Sequence, residues 1–146
     1  MAQTLISPLA QIDPEAQIGA EVTIGPFVTI EANTVVGDRT VLDQGCMIRS
    51  GARIGSDCHI HPYAVIAGIP QDLKFKGEET TAVIGDHTTI REFATVNRGT
   101  ASRGTTVIGS NCLIMAYSHV AHDCILKDHI ILGNATQLAG EVEIDD

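Results

Sequence analysis

The sequence predicts an all-β chain wound into a parallel β-helix, and three regularities do the predicting. Residues whose numbers are divisible by six are Ile, Leu or Val at 21 of 24 places, whereas an apolar content of 44% would put about 11 apolar residues of any type there. Four residues after these anchors stands a small side chain at 18 of 20 places, Pro70 and Ile130 being the exceptions. Glycine recurs one place after the anchor at 19, 25, 37, 55, 85, 109 and 133, where a bend is expected to need a permissive backbone. A six-residue period is too short for a helix pair and too long for simple alternation, but it suits a short strand followed by a corner. Three such hexads close a triangular coil, so residues 18 apart stack at roughly the 4.8 Å spacing of neighbouring strands.

Taken in order, the anchors run unbroken from Ile6 through Ile12, Ile18, Ile24 and onward to Ile66, each expected to centre a short strand. Asp72 and Glu78 then occupy anchor places, which marks Ala67 to Val83 as a loop leaving the prism. The register resumes at Ile84, Ile90 and Val96. Ser102 breaks it again and marks about Asn97 to Val107 as a second loop, after which Ile108 to Ile144 keep time to the end. Loops on a rigid scaffold are where function concentrates. Ile144 opens another hexad and the sequence stops two residues later, so a truncated product or fragment of a longer chain is expected.

Composition narrows the function classes. With no Trp and five other aromatics in 146 residues, the core must be aliphatic. A net charge of −9, with nine scattered basic residues, argues against nucleic-acid binding. No run approaches a membrane span, and the start lacks the form of a signal peptide, so a cytoplasmic location is expected. Cys46, Cys58, Cys112 and Cys124 all fall in the small column and read as buried fillers rather than as a zinc or disulfide set.

The sharpest chemical constellation is His119-Val120-Ala121-His122-Asp123-Cys124. Two imidazoles three residues apart, with a carboxylate directly after the second, give a group that titrates near neutral pH and a neighbour able to raise its basicity. Counting 18 onward from His122 reaches Gly140, which regular coils would stack above it.

At the loops and central hexads the sequence resembles the acyl-carrier-protein-dependent UDP-N-acetylglucosamine O-acyltransferases that open lipid A synthesis. The resemblance rests on Gln71-Asp72-Leu73-Lys74 with Gly77-Glu78, Ile84-Gly85-Asp86, Ile90-Arg91-Glu92, Arg98-Gly99-Thr100, the His119 to Cys124 run, Asn134-Ala135-Thr136 and Leu138-Ala139-Gly140. It implies a left-handed winding, which the period alone does not fix. It also implies transfer of a fatty acyl group, typically 3-hydroxylated, from acyl carrier protein to the 3-hydroxyl of UDP-N-acetylglucosamine by a homotrimer, with no metal or organic cofactor. By the same resemblance His122 is the general base, Asp123 its partner and Gly140 the oxyanion donor, while Gln71, Asp72, Lys74 and His119 contact substrate. Two departures stand out. Glu141 takes the place of a third imidazole after Leu-Ala-Gly, and the family's further coils and helical C-terminal domain are absent.

Three other readings fit the residues. A zinc hydratase or hydrolase would bind metal through His119, His122 and a histidine of a neighbouring subunit. A relative could N-acylate an already 3-O-acylated sugar. A non-catalytic trimerising scaffold is the third.

Overall fold

A computed structural model describes residues 3–146; the first two residues of the expected 1–146 domain lie outside the described residues. The architecture is a left-handed parallel β-helix, without a helix among the described residues. Twenty strands, most of two residues, stack into three parallel sheets of seven, six and seven strands. The first face carries anchors such as Ile24, Leu42 and Ile60, the second Ile30, Ile48 and Ile66, and the third Val36, Ile54 and Ile84. Anchors pair across coils in strict phase, Ile24 with Leu42 and Ile30 with Ile48. From Val22 to Leu132 they form one aliphatic core, with Leu42, Ile60, Ile66, Ile90 and Ile114 wholly buried. In the first coil Ile6 stays half exposed, since only one coil lies against it.

The small column is more than filler. Its hydroxyls and thiols donate to carbonyls of the adjoining coil: Thr40 to Gly55 at 2.8 Å, Thr88 to Gly109 at 2.7 Å, Ser118 to Gly133 at 2.9 Å and Cys124 to Ala139 at 3.2 Å. At these four corners a small donor at the pinch therefore ties one coil to the next while occupying little volume.

The glycines after the anchors serve a different purpose from the one expected. Positive φ falls instead three residues past the anchor, on residues such as Phe27, Arg39, Tyr63, Asp123 and Glu141, and on Gly45 and Gly51. Gly37 and Gly85 are glycines because a Cβ there would strike the backbone of the coil above, at 2.5 Å from the carbonyl carbon of Gly55 and 2.6 Å from that of Gly109. Close approach, not torsional freedom, selects them.

Two loops leave the prism, over 69–80 and 98–104, since the flanking strands Val65–Gly68, Thr81–Ile84, Thr95–Asn97 and Thr105–Ile108 reach further than the register breaks suggest. Across the first loop partners stand 30 residues apart (Ile54 with Ile84), and across the second 24 apart (Ile84 with Ile108), against 18 elsewhere. The insertions thus add twelve and six residues, whole hexads, and the anchor phase survives both. Both loops emerge from the same edge, between the second and third faces, in successive coils.

Candidate active site

The next coil at that edge carries Ala121-His122-Asp123, the turn between the strands His119–Val120 and Ile125–Leu126. Asp123 occupies the corner position at φ 62°, a conformation that a short polar side chain tolerates. The turn folds its carboxylate inward beneath the second loop, where the residue is 0% exposed. There it accepts the Thr100 N–H at 3.0 Å, the Thr100 hydroxyl at 2.5 Å and the Arg103 N–H at 3.2 Å. Its own N–H donates to Thr106 Oγ1 at 2.9 Å. Burial works to raise its pKa, but the bonds from Thr100, His122 and the loop backbone outweigh it and hold the carboxyl below its ordinary value.

His122 Nδ1 lies 2.8 Å from Asp123 Oδ2. An ionised carboxylate only accepts, so the network assigns the proton to Nδ1 and leaves the Nε2 lone pair free. Above the ring sits Gly140, where a Cβ would collide with the imidazole and push it aside. The Glu141 N–H bonds the His122 carbonyl at 3.0 Å, whereas the Gly140 N–H has no partner among the described residues. His119 projects from the second face with Nδ1 2.7 Å from Thr95 Oγ1. Burial, and then the charge of His122, depress its pKa.

The first loop brings its residues to the same edge. Asp72 accepts the Lys74 N–H at 3.0 Å in a tight turn, which sets Asp72 Oδ2 3.9 Å from His122 Nε2. Phe75 stacks on the Arg98 guanidinium at 5.4 Å and so pins this loop to the second. A cavity of about 370 Å³ is lined by Gln71, Asn97, Tyr117, His119, His122 and Gly140. A second hollow, about 310 Å³, meets it at His122 and is lined by Asp72, Lys74, Thr100, Ser102 and Glu141. Six of the seven site residues expected from the sequence thus gather around the seventh, His122.

Several participants escaped sequence reading. Thr100 is the main anchor of Asp123, and its only sequence signal was membership of the small column and of the Arg-Gly-Thr run. Asn97, 6% exposed, lines the cavity with an Oδ1 that no donor among the described residues reaches; an Asn one place past an anchor carries no periodic signal. Glu141 is held at the wall by the Ser102 hydroxyl, and Arg103 pairs instead with Glu143 at 2.8 Å. His119 and His122 are not grouped at metal distance; among the described residues only Asp43, His59 and His61 are.

Known proteins resemble this chain in sequence and in fold. Residues 1–101 match the family model described as the GMPPB C-terminal domain, and residues 105–145 match bacterial transferase hexapeptide (six repeats). An acyl-[acyl-carrier-protein]–UDP-N-acetylglucosamine O-acyltransferase of Campylobacter concisus is 51% identical over 64% of this chain and 37% of its own length. One from Aliarcobacter butzleri is 53% identical over 64% of the chain and 36% of its own. The solved UDP-N-acetylglucosamine acyltransferase of Bacteroides fragilis superposes with a TM-score of 0.96 at 54% identity, covering 97% of this chain and 56% of that one. The chain therefore spans just over a third of the length of the curated relatives it matches, and about half of the solved structure.

Proposed function

The chain belongs to the GMPPB C-terminal domain family and to the acyl-[acyl-carrier-protein]–UDP-N-acetylglucosamine O-acyltransferases, and from that premise we propose that it forms the base-bearing wall of such an enzyme. The reaction is transfer of a (3-hydroxy)fatty acyl group from acyl carrier protein to the 3-hydroxyl of UDP-N-acetylglucosamine, the opening step of lipid A synthesis. The supporting observation is the His122–Asp123 pair with the Gly140 backbone directly over its ring.

A sugar hydroxyl is too weak an acid to attack a thioester unaided. His122 Nε2 takes its proton as the oxygen bonds to the acyl carbon, and buried, ionised Asp123 stabilises the imidazolium through Nδ1. The Gly140 N–H receives the oxyanion. Collapse expels the carrier thiolate, which takes the proton back from His122, so the base is restored and no cofactor is consumed. Gln71 and His119 hold the acceptor in the larger cavity, while Asp72 and Lys74 contact it from the first loop. The open cavity gains its other wall from a neighbouring subunit of a homotrimer, in the cytoplasm.

The test is an acyl-transfer assay of this chain beside a version extended to the length of its relatives. The extended protein acylates UDP-N-acetylglucosamine at the 3-hydroxyl, and the chain alone has little or no activity. An extended protein that acylates only an amino group, or that keeps its full rate as His122→Ala, would overturn the proposal.

A further inference from the structure

On the first face, away from the cavity, three side chains of metal-ligand type converge. His59 and His61 flank the anchor Ile60, the first on the strand and the second just past its end, and both leave the prism on the same side. Their rings stack with centroids 3.9 Å apart and 18° between planes. Asp43 follows Leu42, the anchor paired with Ile60 one coil away, so it stacks on His61 in the column 18 residues back. One ligand atom from each of the three lies within 4.8 Å of the others.

We infer that Asp43, His59 and His61 form a binding site for a divalent transition metal of the zinc class, clamping two adjacent coils. The donor set of two imidazoles and one carboxylate suits zinc and its neighbours rather than magnesium or calcium. Asp43 Oδ2 and His59 Nε2 now share a hydrogen bond of 2.6 Å. Ligands about 2.0–2.1 Å from a tetrahedral ion sit about 3.3 Å apart, so this pair opens by less than an ångström to admit one. Both side chains are more than a third exposed and free to make that movement.

Glu92 adds the outer support such sites use. Its Oε1 lies 3.8 Å from His61 Nδ1, the place for a carboxylate that orients a ligating imidazole and directs its other nitrogen to the metal. Arg91 opposes a cation here, but its guanidinium is paired with Glu92 at 2.7 Å. None of these residues lines the His122 cavity, so the site is independent of acyl transfer and of the function proposed above.

Metal-stripped chain is titrated calorimetrically with zinc chloride. The expected result is one ion per chain at micromolar or tighter affinity, weakened about 100-fold or more by His59→Asn with His61→Asn and about 10–100-fold by Glu92→Gln. His122→Asn leaves it unchanged. Zinc raises the melting temperature of the unaltered chain and not that of the double variant. Asp43→Asn repeats the test should the double variant fail to fold. Affinity no tighter than millimolar, equal affinity in the Asp43 or His59/His61 variants, or loss of binding in His122→Asn would each overturn the inference.

Discussion

Replacing Asp123 with Asn keeps the shape of the side chain and removes only its charge. Two backbone donors, Thr100 N–H and Arg103 N–H, converge on Oδ1, which an amide oxygen can replace. Each of those bonds falls from a charged to a neutral acceptor, a loss of about 1 kcal/mol apiece. The amide nitrogen then faces Thr100 Oγ1 and His122 Nδ1, both of which donate to Oδ2 in the unaltered chain and must reverse. Part of the loss is returned because no charge remains buried. The net is about 2 kcal/mol, or about 4–8 °C in melting temperature for a chain of this size. Since the native carboxyl lies below its ordinary value of 3.8, its stabilisation is present in full above that pH and is lost as pH falls through the native value. The gap between the two melting curves is therefore constant near neutrality and closes below about pH 4. Calorimetric melts from pH 3 to 8 measure it. Equal melting at pH 7, or a gap that widens in acid, would refute the buried anionic cradle. With the proton driven to Nε2, the same variant also loses the base, and kcat of the extended enzyme drops about 10²–10⁴-fold.

Three further outcomes are expected. His122→Ala lowers kcat about 10²–10⁴-fold and abolishes the acid limb of the pH–rate profile, whereas His119→Ala acts mainly on KM; equal kcat losses would contradict the division of roles. Gly140→Ala pushes a methyl group into the His122 ring and costs about 10²-fold in kcat while circular dichroism stays unchanged, and undiminished turnover would show that the coil does not close there. Burial pushes the Cys46 thiol up to about 12, with the charge of Asp43 adding to it, and the thiols of Cys58, Cys112 and Cys124 lie in the same column, also raised. Native protein should therefore leave all four unmodified by a thiol reagent until denaturant is added, and rapid native labelling would show the column to be open.

What the sequence could reveal depended on whether the structural cause was periodic. Stacking in a coil repeats, so Ile24 over Leu42 and Gly140 over His122 could be read by adding 18. Non-periodic causes were hidden. Nothing in the spacing shows that Asp123 turns inward rather than into water, because that depends on where the loop 98–104 folds back. Thr100 looks like any other small-column residue, yet it spends its hydroxyl on a carboxylate and not on a coil carbonyl. The glycines after the anchors were visible, but their purpose was not: Gly37, one place past its anchor, is selected by a tight backbone approach and Gly45, three places past, has a positive φ, and only the folded coil shows which place carries which constraint.

The two loops and the His122 turn share one edge in three successive coils, and each insertion returns the chain to the hexad it left. The hexad register below and above is therefore kept whatever the loops contain, while Arg98 of the second loop still touches the scaffold, donating to the Ser50 carbonyl at 3.1 Å. Their freedom to diverge is nonetheless unequal. The outer part of loop 69–80 approaches the imidazole only through Asp72, so under the proposed function a lineage could recast it for a different acceptor without displacing Asp123. Loop 98–104 carries the donors that keep Asp123 ionised, and every change of length there alters the charge beneath the base. New substrates would thus be acquired through the first loop, and loss of activity would begin in the second.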